Sequence, residues 1–230
     1  MSAARVAADV VVFDMDGVLV DVSESYRETI CRTVEHFTGR ALAREAVQDY
    51  KNRGGLNNDW ELAHTAIRER GVEVPLATVI ERFQRFFLGD HDDGLIRRER
   101  WLPQPGRLEG LAARRRLAVF TGRPRHEAAL TLARWAAGLL FDPVVCAEDV
   151  GAPKPAPDGL AAIRRAHAGA RLAYVGDAVD DARCAQAAAV PFIGVAGAVG
   201  AQHDELARRF ASLGAAAIVG DVNELEAVLT

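Results

Sequence analysis

Val10-Val11-Val12-Phe13-Asp14-Met15-Asp16-Gly17 is the stretch on which the fold turns. Four consecutive apolar residues, three of them β-branched, read as a strand buried on both faces, the kind found in parallel sheets covered by helices on each side. The run stops at two carboxylates one residue apart. In an open parallel sheet, ligands bind in the crevice beyond the carboxyl ends of the strands, so Asp14 falls where a reacting group can be reached while the strand holds it still. Gly17 lets the backbone turn away tightly. Two carboxylates this close to apolar strands need a compensating cation, or one must hold a proton near neutral pH. An Asp-Gly turn with incidental acids is the plainer alternative, and the rest of the chain decides between them.

Beyond a short extended segment at Val18 to Asp21, the pattern is helical for about eighty residues with no strand signal. Ser25 with Glu28 predicts a capping box for a helix running to about Phe37 and closed by Gly39. A second helix is expected over Ala43 to Tyr50, a third from near Asp59 to Gly71, and a fourth over Leu76 to Leu88. Val79, Phe83, Phe86 and Phe87 of the fourth read as core. The acidic loop at Asp90 to Gly94 lacks the distal Glu of a calcium loop and reads as a solvated turn. From Trp101 onward, helices alternate with short apolar strands at Leu117 to Phe120, Pro143 to Cys146, Leu172 to Val175, Phe192 to Val195 and Ala217 to Val219. Repeated βα units specify a parallel sheet wrapped on both sides. The expected fold is therefore α/β: a doubly wound, Rossmann-like core of residues 1–20 and 102–230, with residues 21–101 inserted as an all-helical cap. Hinges are expected near Leu19 to Val22 and Arg100 to Pro103.

Composition narrows the function classes. The net charge of −4 offers no broad attraction for nucleic acid, and the short cluster Arg114-Arg115-Arg116 reads as a solvated helix end. Cys31, Cys146 and Cys184 are scattered and never in a C-x-x-C spacing, which supports neither a disulfide framework nor a zinc site and points to a reducing, cytoplasmic setting. The first eight residues lack the apolar segment of a signal peptide, and the longest apolar stretch is broken by Pro191 and glycines, so no membrane association is expected. Of the 28 basic residues only Lys51 and Lys154 are lysine. A chain that fills its surface with arginine singles those two out.

The polar groups at the later strand ends supply the partners. Thr121-Gly122-Arg123-Pro124 follows the second strand, where a hydroxyl and a backbone N–H ahead of a helix can hydrogen-bond a phosphate oxygen; an ordinary helix cap is the alternative. Gly151-Ala152-Pro153-Lys154-Pro155-Ala156-Pro157 braces Lys154 with three prolines. Asp177 sits at the tip of the fourth strand with Asp181 one helical turn on, so the two can face a common point, and Mg²⁺ suits a site with Asp14, Asp177 and Asp181 around it. Asp180 points elsewhere and reads as a cap or solvated acid.

In Phe13 to Asp21, Pro105-Gly106, Thr121-Gly122-Arg123, Lys154-Pro155-Ala156-Pro157, Gly176-Asp177 with Asp181, and Leu213-Gly214-Ala215, the chain resembles the haloacid dehalogenase-like superfamily, in the branch with a helical cap after the first strand. The resemblance implies hydrolysis of a small phosphorylated metabolite through an aspartyl-phosphate. Asp14 would be the nucleophile and Asp16 the general acid and base. Thr121 and Lys154 would hold the phosphoryl group with the Gly122 backbone, and Asp177 and Asp181 would position Mg²⁺ together with Asp14 and the Asp16 carbonyl. The dehalogenases of the superfamily lack an acid at the place of Asp16, which turns the reading away from them. A phosphomutase keeps the same acid pair and stays open, as does a carbon–phosphorus hydrolase using Lys51 as a Schiff-base amine. A phospho-accepting switch of the receiver type is about half this length and has no counterpart of Asp16. In the cap, Lys51, Arg53, Asn57 and Asn58 are the expected substrate-facing residues, with Asn58 or Asp59 as a helix cap the simpler alternative. The oligomeric state is not legible.

Overall fold

The structure, a computed structural model, describes residues 5–52, 58–197 and 200–230. The chain divides into two compact units, Met1–Val20 with Trp101–Thr230, and Asp21–Arg100. The first holds β1 (Val10–Phe13), α5 (Arg107–Ala112), β4 (Arg116–Phe120), α6 (Arg125–Trp135), β5 (Phe141–Val145), α7 (Asp158–Ala166), β6 (Leu172–Gly176), α8 (Val179–Ala187), β7 (Phe192–Val195), α9 (Ala201–Ser212), β8 (Ala217–Val219) and α10 (Leu225–Val228). The second holds α1 (Tyr26–Thr38), α2 (Arg44–Asn52), α3 (Asp59–Arg68) and α4 (Leu76–Phe87). The chain passes from one to the other through β2 (Val20–Asp21) and returns through β3 (Arg100–Trp101), which pair as a small ribbon.

Six strands form one sheet in the order β5-β4-β1-β6-β7-β8, every pairing parallel. Numbered among themselves these strands run 3-2-1-4-5-6, the dinucleotide-fold order, and the order reverses between β1 and β6. β1 is central, and all four of its residues are fully buried, as the apolar run requires. Side chains alternate across it. Val10 and Val12 enter a core with Ala118, Phe120, Tyr174, Leu160, Ile163, Ala185 and Phe210. Phe13 points to the opposite face and meets Phe141 edge-on, ring centroids 6.3 Å apart. The helices come close: a Cβ at Gly159 of α7 would lie 2.3 Å from the Phe120 ring, and one at Gly194 the same distance from Phe210.

The helical insert has its own core, in which Tyr26 stacks on Phe87 at 4.1 Å and Ile30, Leu62, Ile67, Val79 and Phe83 are fully buried. α1 ends as expected at Gly39, whose φ of 66° is left-handed and whose N–H reaches the Glu35 carbonyl. Its start differs from expectation. Ser25 makes no side-chain cap bond, its hydroxyl donating to the Val22 carbonyl at 3.4 Å, and the Glu28 carboxylate is drawn to Arg44 and Arg32. At α3, Asn58 is the cap, its side-chain oxygen accepting from the N–H groups of Trp60 and Glu61. The basic cluster at 114–116 directly follows the end of α5, with Arg114 and Arg116 exposed as expected, and its side chains also find partners. Arg114 pairs with Glu226, Arg115 donates to the Ala8 carbonyl, and Arg116 opens β4 and contacts His167. No described helix is long and apolar enough to cross a membrane.

Candidate active site

Register places the site. Phe13 pairs with Val119 on β4 and Val175 on β6, so Asp14 stands level with Phe120 and Gly176, and Thr121 and Asp177 lie one step beyond on either side. The Asp14 N–H donates to the Val175 carbonyl at 2.8 Å, continuing the ladder past the strand. By alternation Asp14 projects to the same face as Val12, Phe120 and Tyr174, and that is where Lys154 arrives. Its amine donates to Asp14 Oδ1 at 2.8 Å and lies 2.8 Å from Asp181 Oδ1. The ammonium rests over the rings of Phe120 at 4.8 Å and Tyr174 at 5.3 Å, whose faces attract a cation.

Asp181 is 1% exposed, on the first turn of α8, and every contact it makes fixes its direction. Tyr174 Oη donates to its Oδ1 at 2.7 Å, and the Ala178 N–H donates to its Oδ2 at 3.1 Å. Burial, then the charges of Asp181 and Asp14, keep the Tyr174 phenol protonated and therefore a donor. Asp181, rather than Asp180, thus turns back on the start of α8; Asp180 pairs with Arg183 at 3.4 Å. Asp177 is half-buried beside Gly17, where a Cβ would fall 1.8 Å from Asp177 Oδ2, so the turn after β1 fits only glycine, at φ 74°. Asp14, Asp177 and Asp181 each offer an oxygen within 4.8 Å of the others.

Burial pushes the Asp14 carboxyl up to about 7, with Asp181 and Asp16 adding to the rise and Lys154 opposing it. Burial also disfavours the charged amine of Lys154, yet Asp14 and Asp181 together hold it above the ordinary lysine value. Among the described residues, Asp14, Asp177 and Asp181 gather carboxylate oxygens beside the Lys154 ammonium. An all-oxygen donor set of this kind fits a hard divalent cation.

Thr121 is buried past the end of β4, its N–H on the Val145 carbonyl and its Oγ1 accepting from the Arg123 N–H at 3.1 Å, so its own hydroxyl proton remains to donate. Gly122 is exposed, with open space where a Cβ would be. Asp16 is held by a residue to which the sequence pattern assigned no role. Arg123 Nε donates to Asp16 Oδ1 at 2.6 Å, and Nη2 lies 2.6 Å from the same oxygen. Arginine is so common here that one more carried no signal; the only hint was its place directly after Thr121-Gly122. The structure thus brings together Asp14, Asp16, Thr121, Lys154, Asp177 and Asp181. Of the residues expected in the insert, Asn58 is engaged as a cap, while the side chain of Lys51 and the whole of Arg53 and Asn57 lie outside the described residues.

Comparison with known proteins bears on the family and the fold. The chain is 28% identical over 246 aligned residues, covering 100% of its length and 96% of the relative, to a phosphoglycolate phosphatase of Cupriavidus necator. It is 34% identical over 177 residues to a Phytophthora nicotianae protein named imidazoleglycerol-phosphate dehydratase, matching 73% of this chain but spanning only 39% of that relative's length. Among solved structures, a haloacid dehalogenase-like hydrolase of Bacteroides fragilis superimposes with a TM-score of 0.75 at 20% identity, over 95% of this chain and 99% of that one. A family model described as haloacid dehalogenase-like hydrolase matches residues 8–189, and the chain belongs to that family.

Proposed function

We propose that this chain is a Mg²⁺-dependent phosphatase that hydrolyses a small phosphate monoester through an aspartyl-phosphate on Asp14. The observation that carries the reading is the position of Lys154 between Asp14 and Asp181, 2.8 Å from each, with Asp177 in the same cluster of oxygens. The name of the Cupriavidus relative, a phosphatase of a small phosphorylated acid, supports the same class. Asp14, Asp177, Asp181 and the Asp16 carbonyl would hold Mg²⁺. When bound, the ion supplies positive charge to the phosphoryl oxygens and keeps Asp14 ionised.

Each side chain then has a defined task. Lys154 engages Asp14 Oδ1, which leaves Asp14 Oδ2 to attack phosphorus. As that bond forms, the bond from phosphorus to the ester oxygen breaks, and Asp16 gives its proton to the departing oxygen, releasing the alcohol. Water next attacks the acyl phosphate while Asp16 takes up its proton, freeing inorganic phosphate and restoring the Asp14 carboxylate. An ammonium has three donors, and two of those of Lys154 are taken by Asp14 and Asp181, so the third is left for a phosphoryl oxygen. The Thr121 hydroxyl and the Gly122 N–H supply further donors, the kind of stabilisation a loose phosphoryl-transfer transition state accepts. Lys51, Arg53, Asn57 and the amide of Asn58 are proposed as substrate contacts of the insert.

The test is phosphate release from a panel of metabolite phosphomonoesters, with Mg²⁺, with EDTA, and with Asp14→Asn. Turnover that requires Mg²⁺ and vanishes in the variant is expected. Equal turnover by Asp14→Asn would overturn the assignment of the nucleophile.

A further inference from the structure

Arg123 has an unusual environment for a residue type this chain spends on its surface. Its side chain is 1% exposed, yet it carries a charge and five donors. Burying a guanidinium is costly unless it is paired and hydrogen-bonded, and here it is both. Nε donates to Asp16 Oδ1 at 2.6 Å, Nη2 lies 2.6 Å from the same oxygen, and Nη1 donates to Thr131 Oγ1 of α6 at 2.9 Å. The backbone end is equally fixed, its N–H on Thr121 Oγ1 at 3.1 Å and its carbonyl receiving the Ala147 N–H at 3.0 Å. Arg123 is thus clamped between the turn that carries Thr121 and the helix that carries Thr131. Its other end grips Asp16, whose side chain is 36% exposed and within reach of a ligand.

We propose that Arg123 is a positioning residue for Asp16: by holding Oδ1 it leaves Oδ2 as the oxygen that passes the proton to the leaving group and later takes one from water. This rests on the reading of Asp16 as the acid and base. The asymmetry of the contacts carries it, since two of the three guanidinium nitrogens, Nε and Nη2, meet Oδ1, and among the described residues Oδ2 accepts no hydrogen bond and joins no ion pair. A carboxyl on a turn rotates freely about two bonds, and a proton donor that is not oriented loses most of its value. Because the guanidinium is closed off from solvent, Arg123 acts through Asp16 and does not bind phosphate itself.

A leaving group's demand for a proton separates this role from a structural one. The quantity kcat/KM reports the steps through formation of the aspartyl-phosphate, in which Asp16 is the acid. An alkyl ester such as glycerol 2-phosphate needs that proton, whereas p-nitrophenyl phosphate releases a stable anion. The ratio of kcat/KM for the two esters is measured for wild type, Asp16→Asn, Arg123→Lys and Thr131→Val. Asp16→Asn is expected to lower the alkyl-to-aryl ratio by about 100-fold. Arg123→Lys keeps the charge and loses the grip on Oδ1, and is expected to lower the ratio about tenfold or more. Thr131→Val removes the acceptor of the Nη1 bond and should lower it about threefold. General loss of folded protein scales both esters alike and leaves the ratio unmoved. If Asp16→Asn does not move the ratio, the reading of Asp16 fails. If Asp16→Asn lowers it while Arg123→Lys and Thr131→Val hold the wild-type value, the role of Arg123 is overturned. Should Arg123→Lys not fold, Thr131→Val decides alone, a wild-type ratio counting against the proposal.

Discussion

Lys154 bridges two buried carboxylates, and its removal leaves Asp14 and Asp181 facing one another with their cation gone. Breaking a buried ion pair from one side costs about 3 kcal/mol or more, because the remaining charge is left uncompensated. Lys154→Met is therefore expected to lose about that much stability in EDTA by urea denaturation, and Mg²⁺ is expected to restore part of it. An unchanged midpoint would contradict the bridging role. Lys154 was legible in the sequence and Arg123 was not, for one physical reason. Scarcity made the lysine conspicuous among 28 basic residues, whereas the property that sets Arg123 apart is burial, which belongs to the fold and leaves no mark on residue type. Tyr174 escaped notice in the same way. It reads as one apolar residue in a strand, and its hydroxyl acquires meaning only when α8 brings Asp181 within 2.7 Å.

At the scale of elements, the closeness of α7 to β4 is built on one missing side chain. A methyl at Gly159 would meet the Phe120 ring at 2.3 Å, and that ring lies under the Lys154 ammonium. Gly159→Ala is expected to cost about 1–3 kcal/mol through overpacking, read by urea denaturation. It should also lower kcat/KM about tenfold through the displaced amine. Full activity with full stability would show that the contact yields without consequence. The strands were readable because burial on both faces demands unbroken apolar runs, and glycine and proline punctuate the helices between them. What failed at this scale involved partners distant in sequence. The Ser25 and Glu28 capping box is locally sound but loses Glu28 to Arg44, sixteen residues on, and the arginines at 114–116, placed at a helix end as read, also find partners in Glu226, Ala8 and His167 that the local pattern does not name.

Over the whole molecule, alternation of helix and strand was enough to specify a parallel sheet with a helical insert. The order in which its strands lie, with β1 between β4 and β6, was not, because it depends on pairings between segments more than a hundred residues apart. That order places four carboxylates at one reversal point, and folding stability should register it. Burial raises Asp14 to about 7. A carboxyl raised in the folded state holds a proton the unfolded chain has released, so its contribution is present at low pH and is lost as pH rises from the usual carboxylate range through about 7. Asp21, Glu24, Glu28 and Asp149 are lowered and act in the opposite sense, but below that window. In EDTA the melting temperature is therefore expected to fall between pH 5 and 7.5, at most about 1.4 kcal/mol of stability per pH unit. Saturating Mg²⁺ should remove the decline, and a metal-free protein equally stable across this window would contradict the electrostatic account. The most direct measurement of the central claim is borohydride quenching during turnover of p-nitrophenyl phosphate, followed by peptide mass spectrometry. An aspartyl-phosphate is reduced by borohydride to homoserine, so the expected result is homoserine at position 14, dependent on substrate and Mg²⁺. Steady turnover with Asp14 recovered unmodified, or with the reduced residue elsewhere in the chain, would contradict it.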